Sequence, residues 1–432
     1  MVAAAAITAT AAGAMTAISP ASPVGAAVAP TAGVGTTASW IRARLGVDGL
    51  LPAMGYSATD NTAQAAIGLA LAGVGETDAE RAADALAADV DAYVVVDNGS
   101  GPEDHPGRIA RLILLSVLLG RDPASFGGVD LPARLAGTRR STGPDTGLYG
   151  PPDIYNSAFN QGLALVALHA IGASDPAAVA WLKGQQCADG SWTAYRADTG
   201  VPCAFDPVTF AGPDSNVTAM AAMGLVANST AATVDPTTWF DSIQNPDGGF
   251  PFSAGFSSDP NSTALVVQAL LALGVDPEAG VFVAGSPSPF AALESFRLGC
   301  SAAAADRGAY WASFDPQNPN ALATVQALPA AARATLIVDG PATFGPDPAA
   351  ECPAPTTTTT APPTTTTTVA PTTPTLTPEQ FVAFVIFVRL AVFQKLVVWA
   401  QALKKAGYVQ TCRTRHQVTT CTWAKPRSVR RR

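Results

Sequence analysis

Apolar residues fall along this chain in blocks of two kinds. Some blocks are apolar on nearly every side, such as Leu163–Leu168 and Leu265–Leu273, and these predict helices buried all round. Others are apolar on one side only. Residues 78–95 set Asp78, Glu80, Arg81, Asp84, Asp89 and Asp91 among alanines, which predicts a helix with a solvated face. The fully apolar runs open near Asn61, Asn156, Asn216, Asn261 and Asn320, and Pro106-Gly107 opens one more over 109–119. Asn, Ser and Asp there can accept hydrogen bonds from the free N–H groups of a first turn, and Asp214-Ser215 and Asp259-Pro260 strengthen two of these starts. Half-exposed helices are predicted between them at 39–45, 78–95, 129–137, 176–185, 236–244 and 287–298. The starts recur every roughly 45 to 60 residues, the scale of a helical array. Buried and half-exposed helices in alternation predict two concentric layers.

Two connections repeat nearly letter for letter. Gln186-Cys187-Ala188-Asp189-Gly190-Ser191-Trp192 matches Gln244-Asn245-Pro246-Asp247-Gly248-Gly249-Phe250. Each follows an amphipathic segment and precedes a fully apolar run. The Asp-Gly pairs, with a third at Asp48-Gly49, suit sharp turns after outer helices. In these motifs the chain resembles the QW-type repeats of squalene-hopene cyclases and protein prenyltransferases. The resemblance covers roughly residues 36 to 335 and is sharpest between Asn156 and Gly274. It implies an all-α fold, an (α/α)6 toroid, with Gln186, Asp189, Gly190, Trp192, Gln244, Asp247, Gly248 and Phe250 in structural roles. Toroids of that kind also serve as non-catalytic binders, including cobalamin carriers and complement thioester domains, so fold alone does not give function.

The catalytic signatures of those relatives are missing. A cyclase of the squalene-hopene type needs a D-x-D-D acid; the nearest stretch is Asp89-Val90-Asp91-Ala92, on an expected outer helix. Cyclases line their cavities with aromatic rings that stabilise cations, whereas only 7% of this chain is aromatic. A prenyltransferase needs zinc held by Asp, Cys and His, and neither His105 nor His169 has a partner at ligand spacing. There is no thioester stretch, G-x-S-x-G, H-E-x-x-H or P-loop. His105 reads as a polar loop residue or a general base, and His169 as a structural residue near a helix end. The run Asp97–Asp104 reads as an acidic loop, or as a calcium site without EF-hand spacing. No cofactor and no metal is expected, and the reading leans away from an enzyme. A small toroid without a sizeable β-domain also weakens the cobalamin-carrier comparison.

If the inner helices open at one mouth, Asp60, Asn61, His105, Tyr155, Asn156, Asp214, Asn216, Asp259, Asn261 and Asn320 would ring it as a polar ligand site. The alternative for each is a plain helix cap. The function expected is a non-catalytic binding domain for a small molecule or a surface partner. The alternative is an enzyme of the cyclase or prenyltransferase type acting on an isoprenoid, and a purely structural surface protein is a third reading.

Compartment follows from cysteine and from the termini. The six cysteines form sequential neighbours, Cys187 with Cys203, Cys300 with Cys352 and Cys412 with Cys421, which suits disulfides in an oxidising space. Residues 1–35 are rich in Ala, Thr, Gly and Pro and the first Arg is Arg42. They read as a signal-like segment short of its basic n-region, or as a disordered leader. The toroid is assigned to 36–350. Residues 353–378 are an uncharged Thr/Pro linker, which as polyproline II would reach roughly 80 Å at about 3.1 Å per residue. A secreted or cell-surface protein is expected.

Charge inverts beyond the linker. The whole chain carries −8, but residues 378–432 hold eleven basic residues and one acid, Glu379, for +10, leaving −18 on the remainder. This basic C-terminal module, 379–432, divides in two. Residues 381–403 are apolar but interrupted by Arg389, Gln394, Lys395 and Gln401, which favours a helix lying on a membrane or partner over one crossing it. Residues 408–423 alternate like a hairpin. A turn at His416-Gln417 would set Cys412 opposite Cys421 in a non-hydrogen-bonded pair, where side chains approach closest. The expected partner of the basic module is an anionic lipid or an anionic wall polymer; nucleic acid is disfavoured by export.

Overall fold

The computed structural model describes residues 31–352, apart from 54–56, 98–100, 154–155, 207–209 and 350, and the backbone of two strands at 409–415 and 418–424. The expectations for leader residues 1–30, the linker, the apolar segment 381–403 and Tyr155 therefore lie outside the described residues, whereas 31–35, expected in the leader, cap and open the first helix. Helices dominate: α1 (Ala32–Arg42), α2 (Ala58–Leu71), α3 (Glu76–Ala87), α4 (Val90–Val94), α5 (Pro106–Leu118), α6 (Leu131–Gly137), α7 (Ala158–Ala170), α8 (Pro176–Gly184), α9 (Ser215–Ala227), α10 (Pro236–Ile243), α11 (Pro260–Ala272), α12 (Pro289–Ser295) and α13 (Ala321–Ala331). The strands are short antiparallel pairs: β1 (Val95–Asp97) with β2 (Pro102–Asp104), β3 (Thr193–Ala194) with β4 (Gly212–Pro213), and β5 (Val409–Arg415) with β6 (Val418–Ala424).

Six helices close a ring. α2 packs on α5, α5 on α7, α7 on α9, α9 on α11, α11 on α13, and α13 returns to α2. These are the fully apolar runs. In α9 eleven of thirteen residues are buried, whereas in α3 only Ala79, Ala82, Ala83 and Leu86 are. The helices between them lie outside this ring, α3 against α2, α6 against α5, α8 against α7 and α9, and α12 against α11 and α13. The tightest crossing joins α7 and α9 at glycine. A Cβ on Gly162 would stand 2.3 Å from the Met220 carbonyl oxygen, and one on Gly224 would stand 2.7 Å from the Gly162 Cα.

Helix starts differ from those expected. The caps are Ser57, His105, Ser157, Asp214, Asp259 and Asn320, so among the five Asn only Asn320 is a cap. Asn61, Asn216 and Asn261 lie inside the first turn or just beyond it, because a serine or aspartate upstream takes the capping position. The first outer helix begins at Ala32 with Thr31 as its cap rather than near residue 39. The helix expected over 78–95 is two helices, broken where Asp89 accepts from the N–H of Ala92.

The turns entering the ring share one device. Gly49, Gly147, Gly190, Gly248 and Gly308 all have positive φ, between 78° and 95°. The residue at the end of each turn donates its N–H to an inner helix: Leu51 to Thr62, Trp192 to Thr218, Phe250 to Thr263 and Tyr310 to Thr324, each to Oγ1, and Tyr149 to Gln161 Oε1. Gln186 closes its turn by donating to the Gly190 and Val234 carbonyls, and Gln244 does the same with Gly248 and Phe282. Asp189 accepts from Ser191, and Asp247 from Gly249 and Ser258. Trp192 and Phe250 are fully buried.

The far end of the ring is covered by the segment after α13. Asp339 meets His169 at the end of α7 at 2.9 Å, Ala342 donates to Leu118 at the end of α5, and Gly345 donates to Gly73 after α2. Asp347 pairs with Arg42, and Cys352 is bonded to Cys300. The other expected core disulfide, Cys187–Cys203, is also formed. In the C-terminal strand pair Cys412 is the register partner of Cys421.

Candidate functional site

Inner-helix N-termini converge on a cavity of about 350 Å³. Asp60 reaches it from α2, Arg108 and Arg111 from α5 with His105 as that helix's cap, Phe159 and Asn160 from α7, and Asp214, Asn216 and Val217 from the start of α9; Ala194 and Tyr195 form its rim. Its size lies at the small end of the ~300–1,000 Å³ usual for ligand pockets. Arg111 and Phe159 also line a narrower space of about 50 Å³ deeper in the ring. There Ile67, Leu163, Met220, Leu265 and Val325 join Gln64, Gln268 and Gln326, and Leu336 of the covering segment lines it too. The cavity is therefore a polar mouth above an apolar throat.

One charged cluster organises the mouth. Asp60 Oδ1 accepts from Arg111 at 2.8 Å and from the Tyr93 hydroxyl at 3.1 Å. Arg108 donates to the Tyr93 carbonyl at 2.8 Å. Burial works against ionisation of Asp60, but Arg111, Arg108 and the Tyr93 hydroxyl outweigh it and hold the carboxyl below its usual range. His105 responds oppositely. Burial, then Arg108 and Arg111, press its pKa down to about 4, so the ring is neutral at pH 7, and its Nδ1 accepts from the Arg108 N–H at 3.3 Å. A second chain of hydrogen bonds leaves Asp60 for the throat. Gln64 donates to Asp60, Gln326 to Gln64, and Asn261 to Gln326, at 3.0, 2.8 and 2.7 Å. Gln268 is 2% exposed and its buried Oε1 has no protein partner among the described residues.

Asp214 is the acid of this mouth. It accepts from the Val217 N–H at 3.0 Å as the cap of α9. It is 9% exposed, and burial raises its carboxyl to about 7 despite that hydrogen bond. Asp259, the cap of α11, is raised to about 6 for the same reason.

Of the ten residues expected to ring a mouth, Asp60, His105, Asp214 and Asn216 line the cavity. The others described do not. Asn61 is buried and donates to the Ala53 carbonyl. Asn156 donates to the Tyr149 and Pro151 carbonyls and fastens the loop before α7. Asp259 and Asn320 cap helices, and Asn261 belongs to the glutamine chain. The mouth thus lies over α2, α5, α7 and α9 rather than over all six inner helices. Arg108, Arg111, Asn160 and Tyr195 were not anticipated. The signal for the arginines was present: two cations three residues apart in the otherwise apolar run Pro106–Leu118. Gly107 admits Asn160, whose Oδ1 would lie 2.4 Å from an added Cβ. Asp89 and Asp91 stand away from the cavity, Asp91 pairing with Arg134 at 2.5 Å. Among the described residues no cluster has the donors for a metal ion, and no helix is long and apolar enough to cross a membrane.

These features define a ring of helices with a cavity lined at inner-helix N-termini. No protein-family model matches the chain, and no curated protein matches it. Solved structures similar to it include the type II terpene cyclase MstE from Scytonema, at 11% identity and a TM-score of 0.47 over 69% of this chain and 96% of that one. Another is ent-copalyl diphosphate synthase from Streptomyces platensis, at 18% identity and a TM-score of 0.40, where 64% of this chain matches half of that protein's length. A third is haptocorrin in complex with Cbi, at 12% identity and a TM-score of 0.40 over 74% and 70% of the two chains. These likenesses concern the fold alone.

Proposed function

We propose that this is an (α/α)6-toroid protein whose mouth binds a small molecule without transforming it, and that it works outside the cell or on its surface. The carrying observation is the cavity of about 350 Å³ lined by fixed charged and polar groups. Concave sites with a few converging polar groups are the usual form of small-molecule sites. The two core disulfides fit an oxidising compartment. The basic C-terminal module would hold the protein to anionic lipid or wall polymer by charge. Native mass spectrometry of the purified protein tests the binding reading. A retained small molecule, lost when Asn160 and Asn216 are both changed to Ala, is expected. A protein that emerges empty and takes up nothing from a metabolite extract would rule it out.

A second reading is favoured by one residue. Asp214 presents a carboxyl that is protonated up to about pH 7 inside a sheltered cavity, the property required of a general acid. The resemblance in the repeats names an isoprenoid as its substrate. Against this, the apolar throat is only about 50 Å³, too small for a folded polyprenyl chain. Turnover of squalene or geranylgeranyl diphosphate by the wild type, abolished by Asp214→Asn, would replace binding with catalysis.

A further inference from the structure

The two guanidiniums at the mouth are paired unequally with Asp60. Arg111 holds it directly at 2.8 Å, while Arg108 acts on it only through the field. Arg108 spends one N–H on the Tyr93 carbonyl, and its other donors have no protein partner among the described residues. Its guanidinium lies over the Tyr93 ring, 5.5 Å from the centroid, which fixes its direction without neutralising it. His105 adds no charge at neutral pH, since its pKa is held at about 4. Asp214, the other carboxyl of the mouth, is pushed towards its neutral form by burial. The lining also holds an unmatched polar atom of its own: Asn216 Oδ1 is buried and has no protein partner among the described residues. An acceptor without a partner calls for a donor, which the neutral part of the ligand and not its anionic end would supply.

We infer that the mouth takes a small organic anion, a carboxylate or a phosphate monoester, whose charged end docks on Arg108 beside Asn160. This rests on the reading that the cavity is the binding site, and it names the ligand's class. A guanidinium offers paired N–H donors matched to a carboxylate or phosphate. A guanidinium without a carboxylate partner in a concave wall attracts an anion and repels a cation. The small cavity limits the ligand to a compact molecule, with its apolar part directed at Phe159 and the throat.

The test uses the full chain and four probes of one shape: benzoate, phenyl phosphate, benzamide and benzylammonium, followed by calorimetry or ligand-observed NMR. Benzoate or phenyl phosphate is expected to bind at least tenfold tighter than either of the others. The tighter of those two anions tells a carboxylate ligand from a phosphate. Arg108→Gln should lose at least tenfold in affinity for the anion and leave benzamide unaffected, and Arg108→Lys should recover part of the loss. If Arg108→Gln fails to fold, salt dependence in the wild type replaces it: anion binding should weaken between 50 and 500 mM NaCl, roughly as charge screening requires. Equal affinity across the four probes, or full anion affinity in Arg108→Gln, overturns the anion assignment while leaving the cavity as a binding site. No binding of any probe, together with an empty protein in native mass spectrometry, overturns both readings.

Discussion

Individual residues at the mouth both cap helices and line the cavity. Asp214 is the clearest instance. Its carboxyl is raised to about 7 by burial, so the folded protein holds its proton more tightly than the unfolded chain does. Stability from this group is full below the unfolded value near 4 and is lost as pH rises through about 7. His105 runs the other way. Its pKa is depressed to about 4, so its contribution is full above the unfolded value and lost as pH falls through 4. The two partly cancel in the wild type, and a single variant separates them. Asn can cap as well as Asp but does not titrate. Asp214→Asn should therefore gain stability relative to wild type between pH 4.5 and 8, by at most about 1.4 kcal/mol per pH unit. Urea melts at the two pH values check this. A stability difference that does not change with pH would show that Asp214 ionises normally in the fold.

At the scale of elements, five of the six ring helices, all but α5, are tied to the turn before them by a side chain in their own first or second turn. The Trp192 N–H donates to Thr218 Oγ1 at 3.0 Å, and both residues are buried. Thr218→Val keeps the shape and strips the acceptor, leaving a buried N–H without a partner. The expected loss is about 1–3 kcal/mol, measured by denaturant unfolding. Thr218→Ser, which restores the hydroxyl, should recover most of it. The same logic explains which repeats were legible. Asp189–Trp192 and Asp247–Phe250 share their spacing. Asp145–Tyr149 and Asp306–Tyr310 carry one residue more between aspartate and aromatic, so letter matching missed them although their glycines and N–H bonds are equivalent. Helix starts were displaced for a related reason. Asn and Asp both suit a first turn, and only tertiary hydrogen bonds decide that Asn156 fastens a loop while Ser157 caps.

At the scale of the whole ring, the far end is covered by the segment that follows α13. Residues 333–352 cross the far ends of α7, α5 and α2 and finish in the Cys300–Cys352 bond. That bond spans 52 residues, and a crosslink over such a loop stabilises a fold by about 2–4 kcal/mol, chiefly by restricting the unfolded chain. The Cys300→Ser/Cys352→Ser double variant should lower the melting temperature by several degrees. It should also increase proteolysis between residues 333 and 352 before the ring unfolds. An unchanged melting temperature and an unchanged cleavage pattern would show that the noncovalent contacts suffice to hold the cover.

The sequence by itself determined the helical class, the alternation of fully and partly buried helices and the Asp-Gly turns, and it suggested the two core disulfide pairs that the structure forms. These follow from periodicity, turn chemistry and spacing, which are local and survive without knowledge of contacts. It also supplied Asp60, His105, Asp214 and Asn216 as candidates, because polar residues at helix starts stand out against apolar runs. Only the tertiary structure decided that these four share a cavity while Asn61, Asn156, Asp259, Asn261 and Asn320 do not. It alone brought Arg108 and Arg111 to Asp60, 51 residues away from Arg111, and placed a covering segment across the far end. The physical reason is closure of the ring: which helix ends face one another depends on packing angles and close glycine crossings such as Gly162 on Gly224, and no short window of sequence records those.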